Sequence, residues 1–228
     1  MRTPLLIGST LAAGWASPAP APVVPAVARA FRIPRRLADG HVALTFDDGP
    51  HPQGTPAILE ALARAGARAT FFVVGEQVEC EPGLTREIAA AGHSVALHGH
   101  RHRNMLRLTP GAFSTDLERG SASIEAAAGL RPVLYRPPYG IFSAAGLRIV
   151  RRRRLGILLW SRWGHDWRAR ITPAAIAAEL ATGVAAGDVL LLHDADHYSA
   201  TGSWKRTAAA LPRVLDAIEG AGLQIAAV

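Results

Sequence analysis

Cysteine is almost missing from this chain of 228 residues: Cys80 stands alone. No disulfide can form within the chain, and cysteine usage says nothing about redox compartment. A lone thiol of this kind is expected to be a small buried side chain. Acidic residues are also scarce, with 18 Asp and Glu against 25 Lys and Arg, for a net charge of +7. Such a balance favours anionic surfaces, yet the cations are almost all arginines scattered along the sequence. No helix-turn-helix, zinc-finger or RNA-binding signature accompanies them, so specific nucleic-acid recognition is not expected. The one dense basic run, Arg151 to Arg154, follows Leu147-Arg148-Ile149-Val150 and reads as the last turn of a helix, where cations complement the dipole. Internal repeats are missing too, which sets aside solenoids and propellers.

What is present describes one globular domain. Hydrophobic residues make up 49% of the chain and charged residues 19%, the balance of a chain that buries a core rather than staying disordered. The length suits a single domain. Residues 1–36 form an Ala/Pro-rich leader and linker, and 37–228 the domain. The leader is uncharged from Thr3 to Ala28 and apolar around Leu5-Leu6-Ile7 and Leu11-Ala12-Ala13, as a secretory signal or loose membrane anchor is. Pro4, Pro18, Pro20, Pro22 and Pro25 make it a poor continuous membrane helix. Export to the cell envelope or beyond is the expectation, with loose membrane or cell-wall association and a monomeric state.

From His41 onward, short apolar or β-branched runs alternate with longer helical patterns, the form of repeated βα units. The pattern predicts strands over 42–46, 69–74, 94–98, 133–136, 156–161, 188–193 and 224–227. Helices are predicted over 56–65, 83–91, 110–127, 144–153, 173–184 and 207–221. Thr109-Pro110 and Thr172-Pro173 place a capping hydroxyl before a helix-compatible proline, and Ser143 is a further candidate cap. In βα barrels the loops after the strand C-termini hold the chemistry, so polar clusters there are read first for function.

Five clusters lie at such ends. In Thr45-Phe46-Asp47-Asp48-Gly49-Pro50 two adjacent carboxylates repel unless a cation or proton separates their roles, which invites a metal for one and base duty for the other; a plain Asp-Gly-Pro turn is the alternative. In His98-Gly99-His100-Arg101-His102, the first and last histidines stand four apart, a spacing that presents two imidazoles to one divalent ion such as Zn²⁺. With Asp48 they would complete a two-histidine, one-carboxylate set that leaves positions open for water and substrate; a histidine-rich loop without a metal is the alternative. His100 points away from that face, toward the surface or a supporting position. In Arg136-Pro137-Pro138-Tyr139-Gly140, the arginine can pair with a carboxylate and a turn N–H can face a developing oxyanion; a merely rigid turn explains the same residues. Asp166-Trp167 and Leu190-Leu191-Leu192-His193 complete the series. His193 alone reads as a satisfied core histidine, but partnered by Asp166 it becomes a credible proton donor to a departing amine.

Together and in this order, TFDDGP, the His98/His102 pair, RPPYG, Asp166-Trp167 and Leu191-Leu192-His193 resemble the NodB-homology polysaccharide deacetylases, carbohydrate esterase family four. The resemblance spans His41 to Val228. It implies a distorted (β/α)₇ barrel of TIM-barrel type and a metal-dependent hydrolase that removes N-acetyl, or O-acetyl, groups from a polysaccharide such as peptidoglycan or a chitin-like glycan. It further implies one divalent ion, zinc or else cobalt, held by Asp48, His98 and His102, with Asp47 as general base and His193 as general acid. Arg136 resembles the residue that orients Asp47, and Asp166 the one that tunes His193. The Tyr139 backbone N–H resembles the oxyanion donor, and Trp167 and Leu191 the wall that receives the acetyl methyl.

Gly99 departs from the family pattern, where Ser or Thr usually follows the first histidine, and the missing hydroxyl removes a local bond that steadies the loop. The polar segment Asp194 to Trp204 has no assigned role; Tyr198 and Trp204 either stack on sugar rings or simply pack at the surface. Two other readings compete: a catalytically silent carbohydrate-binding barrel, and a deacetylase of a small amide or ester.

Overall fold

The computed structural model describes residues 14–228; the apolar stretches before Gly14 lie outside them. In chain order the elements are α1 (Pro25–Ala30), β1 (Ala43–Asp47), α2 (Gly54–Arg64), β2 (Thr70–Val73), α3 (Gly75–Cys80), α4 (Pro82–Ala90), β3 (Ser94–Leu97), α5 (Pro110–Ala128), β4 (Leu134–Tyr135), α6 (Ala144–Arg152), β5 (Gly156–Ile157), β6 (Arg162–Trp163), α7 (Pro173–Ala181), β7 (Val189–His193) and α8 (Ser203–Gly220). The strands form one curled sheet in the order β5-β4-β3-β2-β1-β7-β6, and every pairing between them is parallel. Helices flank the sheet, giving the repeated βα units that the alternation predicted and the distorted (β/α)₇ barrel that the resemblance implied.

The central strands carry unbroken apolar runs because both of their faces are covered. All of β1 and β2 and the first four residues of β7 are buried. Phe46 stacks on Phe71 with centroids 5.1 Å apart, and each such side chain taken out of water contributes about 1.5–3 kcal/mol. The three sequence caps form: Thr109, Ser143 and Thr172 accept from Ala112, Gly146 and Ala175 at 3.2, 3.1 and 3.2 Å. Arg151 and Arg152 occupy the last turn of α6.

Two strand expectations need correction. Of the apolar run 156–161 only Gly156–Ile157 forms a strand, β5; the buried residues Leu158, Leu159 and Trp160 then cross to the other edge of the sheet, where β6 begins at Arg162. No ladder closes that gap. Instead Leu159 donates to Pro34 O at 2.9 Å, and Ser161 to Val189 O at 3.0 Å. Residues 224–227 contribute only an isolated bridge between Val42 and Ile225, since that position beside β1 is already taken by β2 and β7.

From Gly14 the N-terminal segment lies across the fold. Ala21, Ala28 and Ile33 belong to the main hydrophobic cluster, and Trp15 Nε1 donates to Leu106 O at 3.3 Å. Arg35 donates to Trp160 O at 2.9 Å. Among the described residues no helix is long and apolar enough to cross a membrane.

Candidate active site

Register builds the site. Parallel pairing sets Asp47 level with His193 across β1 and β7, and with Phe72 of β2. Val73 is level with Leu97, and Leu97 with Tyr135. The residue after each apolar run therefore reaches the same rim: Asp48 after β1, His98 after β3, Arg136 after β4 and His193 at the end of β7.

One ligand atom each from Asp48, His98 and His102 lies within 4.8 Å of the others. The Nε2 atoms of His98 and His102 stand 3.5 and 3.3 Å from Asp48 Oδ1. These are not ion pairs, because burial, aided by Arg136 for His98 and by His98 for His102, lowers both imidazole pKa values to about 3 and leaves the rings neutral. Nor does Asp48 Oδ1, although buried, accept a hydrogen bond. A buried acceptor without a partner is costly. Nitrogen and oxygen ligands about 2.0–2.1 Å from a tetrahedral ion would sit roughly 3.3 Å apart, so the spacing fits a divalent cation. Burial, opposed by His193, raises Asp48 to about 7, a state that a cation would reverse.

Asp47 is held from behind. Arg136 is fully buried and donates from Nη1 to Asp47 Oδ1 at 2.7 Å and to Thr45 Oγ1 at 2.8 Å. Its remaining donors reach the carbonyls of Leu158 at 2.9 Å and Leu159 at 3.1 Å, and its guanidinium lies 3.9 Å over the Phe72 ring. With Oδ1 occupied, Oδ2 is the oxygen turned to the cluster, 3.8 Å from His98 Nε2. Burial raises the Asp47 pKa against the pull of Arg136.

At the end of β7 His193 Nδ1 lies 2.9 Å from Asp166 Oδ1, leaving Nε2 toward the cluster, 3.9 Å from Asp48 Oδ2. Burial works to lower this imidazole, but Asp166, then Asp48 and Asp47, overcome it and raise the pKa to about 10. Asp47 and His193 thus line one cavity together, a buried carboxylate and an imidazole that its carboxylate neighbours keep protonated.

The cavity between them measures about 280 Å³ and is lined by Trp160, Trp163, Trp167 and Leu191 as well as the polar groups. Trp167 meets the His193 ring edge-on at 5.5 Å. At its mouth Tyr139 adopts φ 61°; the turn's hydrogen bonds run from Gly140 to Pro137 and from Ile141 to Pro138, and neither uses the Tyr139 N–H.

Several expectations change. Trp204 does not line the cavity and packs 5.8 Å from His51, whereas Tyr198 reaches the rim. Cys80 is exposed, not buried, at the end of α3. His100 is buried, with Nε2 2.9 Å from Glu79. The loop after His98 does not depend on a hydroxyl at position 99. Gly99 has φ 88°, and a Cβ there would stand 3.0 Å from Asp116 Oδ2. That carboxylate accepts His100 N–H at 2.8 Å and Arg103 at 2.7 Å, fixing the loop from α5. Asp116 went unread in the sequence, although a carboxylate on the buried stripe of Phe113, Leu117, Gly120 and Ile124 was a signal. Trp163 was missed as a wall residue.

Residues 35–156 match the family model for polysaccharide deacetylase. The chain belongs to that family. Among curated relatives, the peptidoglycan-N-acetylglucosamine deacetylase PgdA of Listeria monocytogenes is 28% identical over 201 residues, covering 88% of this chain but 41% of its own length. The chain thus spans about two fifths of that relative. The chitooligosaccharide deacetylase of Bradyrhizobium is 34% identical over 191 residues, 81% of this chain and 87% of its own. Among solved structures, the peptidoglycan N-acetylglucosamine deacetylase Bc1960 superposes with a TM-score of 0.78 at 28% identity, covering 83% of this chain and 86% of its own. The likeness to that structure thus takes in more of the chain than the residues that match the family model.

Proposed function

We propose that this polysaccharide deacetylase family member is a metal-dependent hydrolase that removes acetyl groups from the amino sugars of a glycan. The observation that carries the reading is the Asp48, His98 and His102 cluster with two further ionisable groups against it, Asp47 Oδ2 at 3.8 Å from His98 Nε2 and His193 Nε2 at 3.9 Å from Asp48 Oδ2. A silent binding barrel has no use for a base and an acid beside a cation site. A bound divalent ion, zinc for preference because two imidazoles and one carboxylate suit it, supplies Lewis-acid polarisation of the acetamide carbonyl and of an attacking water.

The chain's own groups do the rest. Asp47 takes the water proton on Oδ2, since Arg136 holds Oδ1 and keeps the carboxylate turned to the site. The Tyr139 N–H, free of the turn's own bonds, donates to the oxyanion as charge develops. His193, kept protonated by Asp166, delivers a proton from Nε2 to the leaving amine, and acetate departs. Leu191, Trp163 and Trp167 enclose the acetyl methyl and exclude water.

A polymeric substrate is supported by a second cavity of about 590 Å³ that shares His102 and Tyr139 as walls and runs on to Asn104 and Arg107, so neighbouring sugars can continue past the reacting one. The relatives act, by name, on peptidoglycan N-acetylglucosamine and chitooligosaccharides, and both classes are candidate substrates. Export, supported by the uncharged opening from Thr3 to Ala28, brings the enzyme to such glycans. The test is acetate release by the Zn²⁺-loaded chain from peptidoglycan fragments, chitooligosaccharides, N-acetylglucosamine and simple acetyl esters. Release from the oligomers supports the reading; release from monomer or ester alone, or from none, overturns it.

A further inference from the structure

The two imidazoles that face Asp48 are held by different means. His98 Nδ1 lies 2.8 Å from the Arg136 carbonyl, so its N–H is anchored and Nε2 is left to the cluster. His102 Nδ1 is buried and makes no hydrogen bond. A metal-ligating imidazole ordinarily gives its second nitrogen a carbonyl, carboxylate or water partner, which sets both tautomer and ring angle. His102 has aromatic neighbours instead. Tyr198 stacks on it with centroids 4.2 Å apart and planes 10° from parallel, and Tyr139 meets it edge-on at 4.6 Å.

We infer that Tyr198 is a positioning residue that holds the His102 ring at its ligating angle by stacking, in place of the missing hydrogen bond, and that the 194–204 segment is the brace that carries it. This rests on the metal-site reading above. The brace is tied down at both ends. At the tip, the Tyr198 hydroxyl donates to Glu76 Oε1 at 2.8 Å and accepts from Gln77 Nε2 at 3.1 Å, both on α3 across the rim. At the base, Asp196 accepts from Gly202 N–H at 2.6 Å and meets His51 Nε2 at 3.0 Å. Ala200 N–H donates to Trp167 O at 3.1 Å, and His197 Nε2 lies 3.3 Å from Pro50 O. Asp194 accepts from the Thr55 hydroxyl, which joins the brace to the start of α2. The face of Tyr198 that lies on His102 is closed to a sugar ring, so stacking on substrate does not explain its orientation.

The experiment is Zn²⁺ affinity of the full chain, by competition with a chromogenic chelator, together with the visible absorption spectrum of the Co²⁺-loaded protein. Tyr198→Ala should weaken Zn²⁺ binding about 10–100-fold, the usual cost of losing a group that orients a ligand, and should alter the Co²⁺ spectrum. Tyr198→Phe keeps the ring and loses the tether, so it should restore most of the affinity. Glu76→Ala with Gln77→Ala removes the tether from the other side and should match Tyr198→Phe; Tyr198→Leu, which fills the space without an aromatic face, should weaken Zn²⁺ binding as Tyr198→Ala does and covers the case in which the alanine variant does not fold. Unchanged affinity and spectrum in Tyr198→Ala, with only KM raised, would make the residue a substrate contact and overturn the inference. His98→Ala separates the two levels: if it binds Zn²⁺ as well as wild type does, the metal site itself is wrong, whatever Tyr198 does.

Discussion

Asp166 binds His193 twice: Oδ2 accepts the backbone N–H at 2.7 Å and Oδ1 meets the ring Nδ1 at 2.9 Å. The Thr207 hydroxyl donates to the same carboxylate at 2.8 Å, so the carboxylate cannot rotate away. Ring orientation and ring charge are thereby controlled by one fully buried residue.

Asp166→Asn should move the alkaline limb of the pH–rate profile to lower pH. In the wild type His193 holds its proton to about 10. Without the carboxylate, burial is less opposed and the limb should fall by roughly two units. The same pair contributes to stability. The folded pKa lies above the unfolded value, so the contribution is complete below about 6.5 and disappears as pH rises through about 10. The gap in melting temperature between wild type and variant should narrow along that range. A limb that stays in place removes Asp166 from control of the acid.

Asp47→Asn should keep bound metal and lose turnover by at least about 100-fold, the scale of general-base catalysis, whereas His98→Ala should lose both. Metal content by elemental analysis, set beside acetate release, separates the two outcomes. Wild-type turnover in Asp47→Asn at matched metal content takes the base role from Asp47.

His193→Ala should slow hydrolysis of an acetamide far more than that of an activated acetyl ester, whose leaving group needs little protonation. Parallel losses on both substrates would show that His193 is not the proton donor.

Arg136→Met should cost about 3–5 kcal/mol in urea unfolding, because it leaves the Asp47 carboxylate buried without its partner. Asp47→Asn made in the Arg136→Met background should return part of that loss, since the stranded charge is then gone. Additive losses in the double variant would show that the pair is not coupled.

Gly99→Ser should destabilise the chain by about 1–2 kcal/mol, since φ 88° and the 3.0 Å approach to Asp116 penalise any Cβ at that position. Calorimetry of the metal-free protein reads this directly. A neutral or stabilising result would mean that the loop relaxes freely and that Asp116 does not hold it.

Legibility followed the length scale of the signal. TFDDGP, HGHRH, RPPYG and LLLHD were readable because each sets polar residues directly after an apolar run, and a parallel sheet brings all such ends to one rim. The run 156–161 looked like a single strand because Gly156 to Ser161 is uniformly apolar in its middle; where the chain leaves one sheet edge for the other is decided by what flanks it, here Pro34 and β7. Residues 224–227 have strand chemistry but no vacant neighbour beside β1. Asp116 sits on a helix that follows the loop it holds, 16 residues from His100, too far for a local pattern to pair them, and Tyr198 gave no sign of which ring it would meet.

By itself the sequence determined the alternation of strand and helix, the helix starts, and the identity of the ionisable groups at the strand ends, because these depend on periodicity and on residues close together in the chain. Only the tertiary structure decided how the sheet curls and where it stays open, which oxygen of Asp47 is left free, and that one metal-facing imidazole rests on a carbonyl while the other rests on a tyrosine. Those outcomes depend on distances between segments brought together by core burial and sheet register.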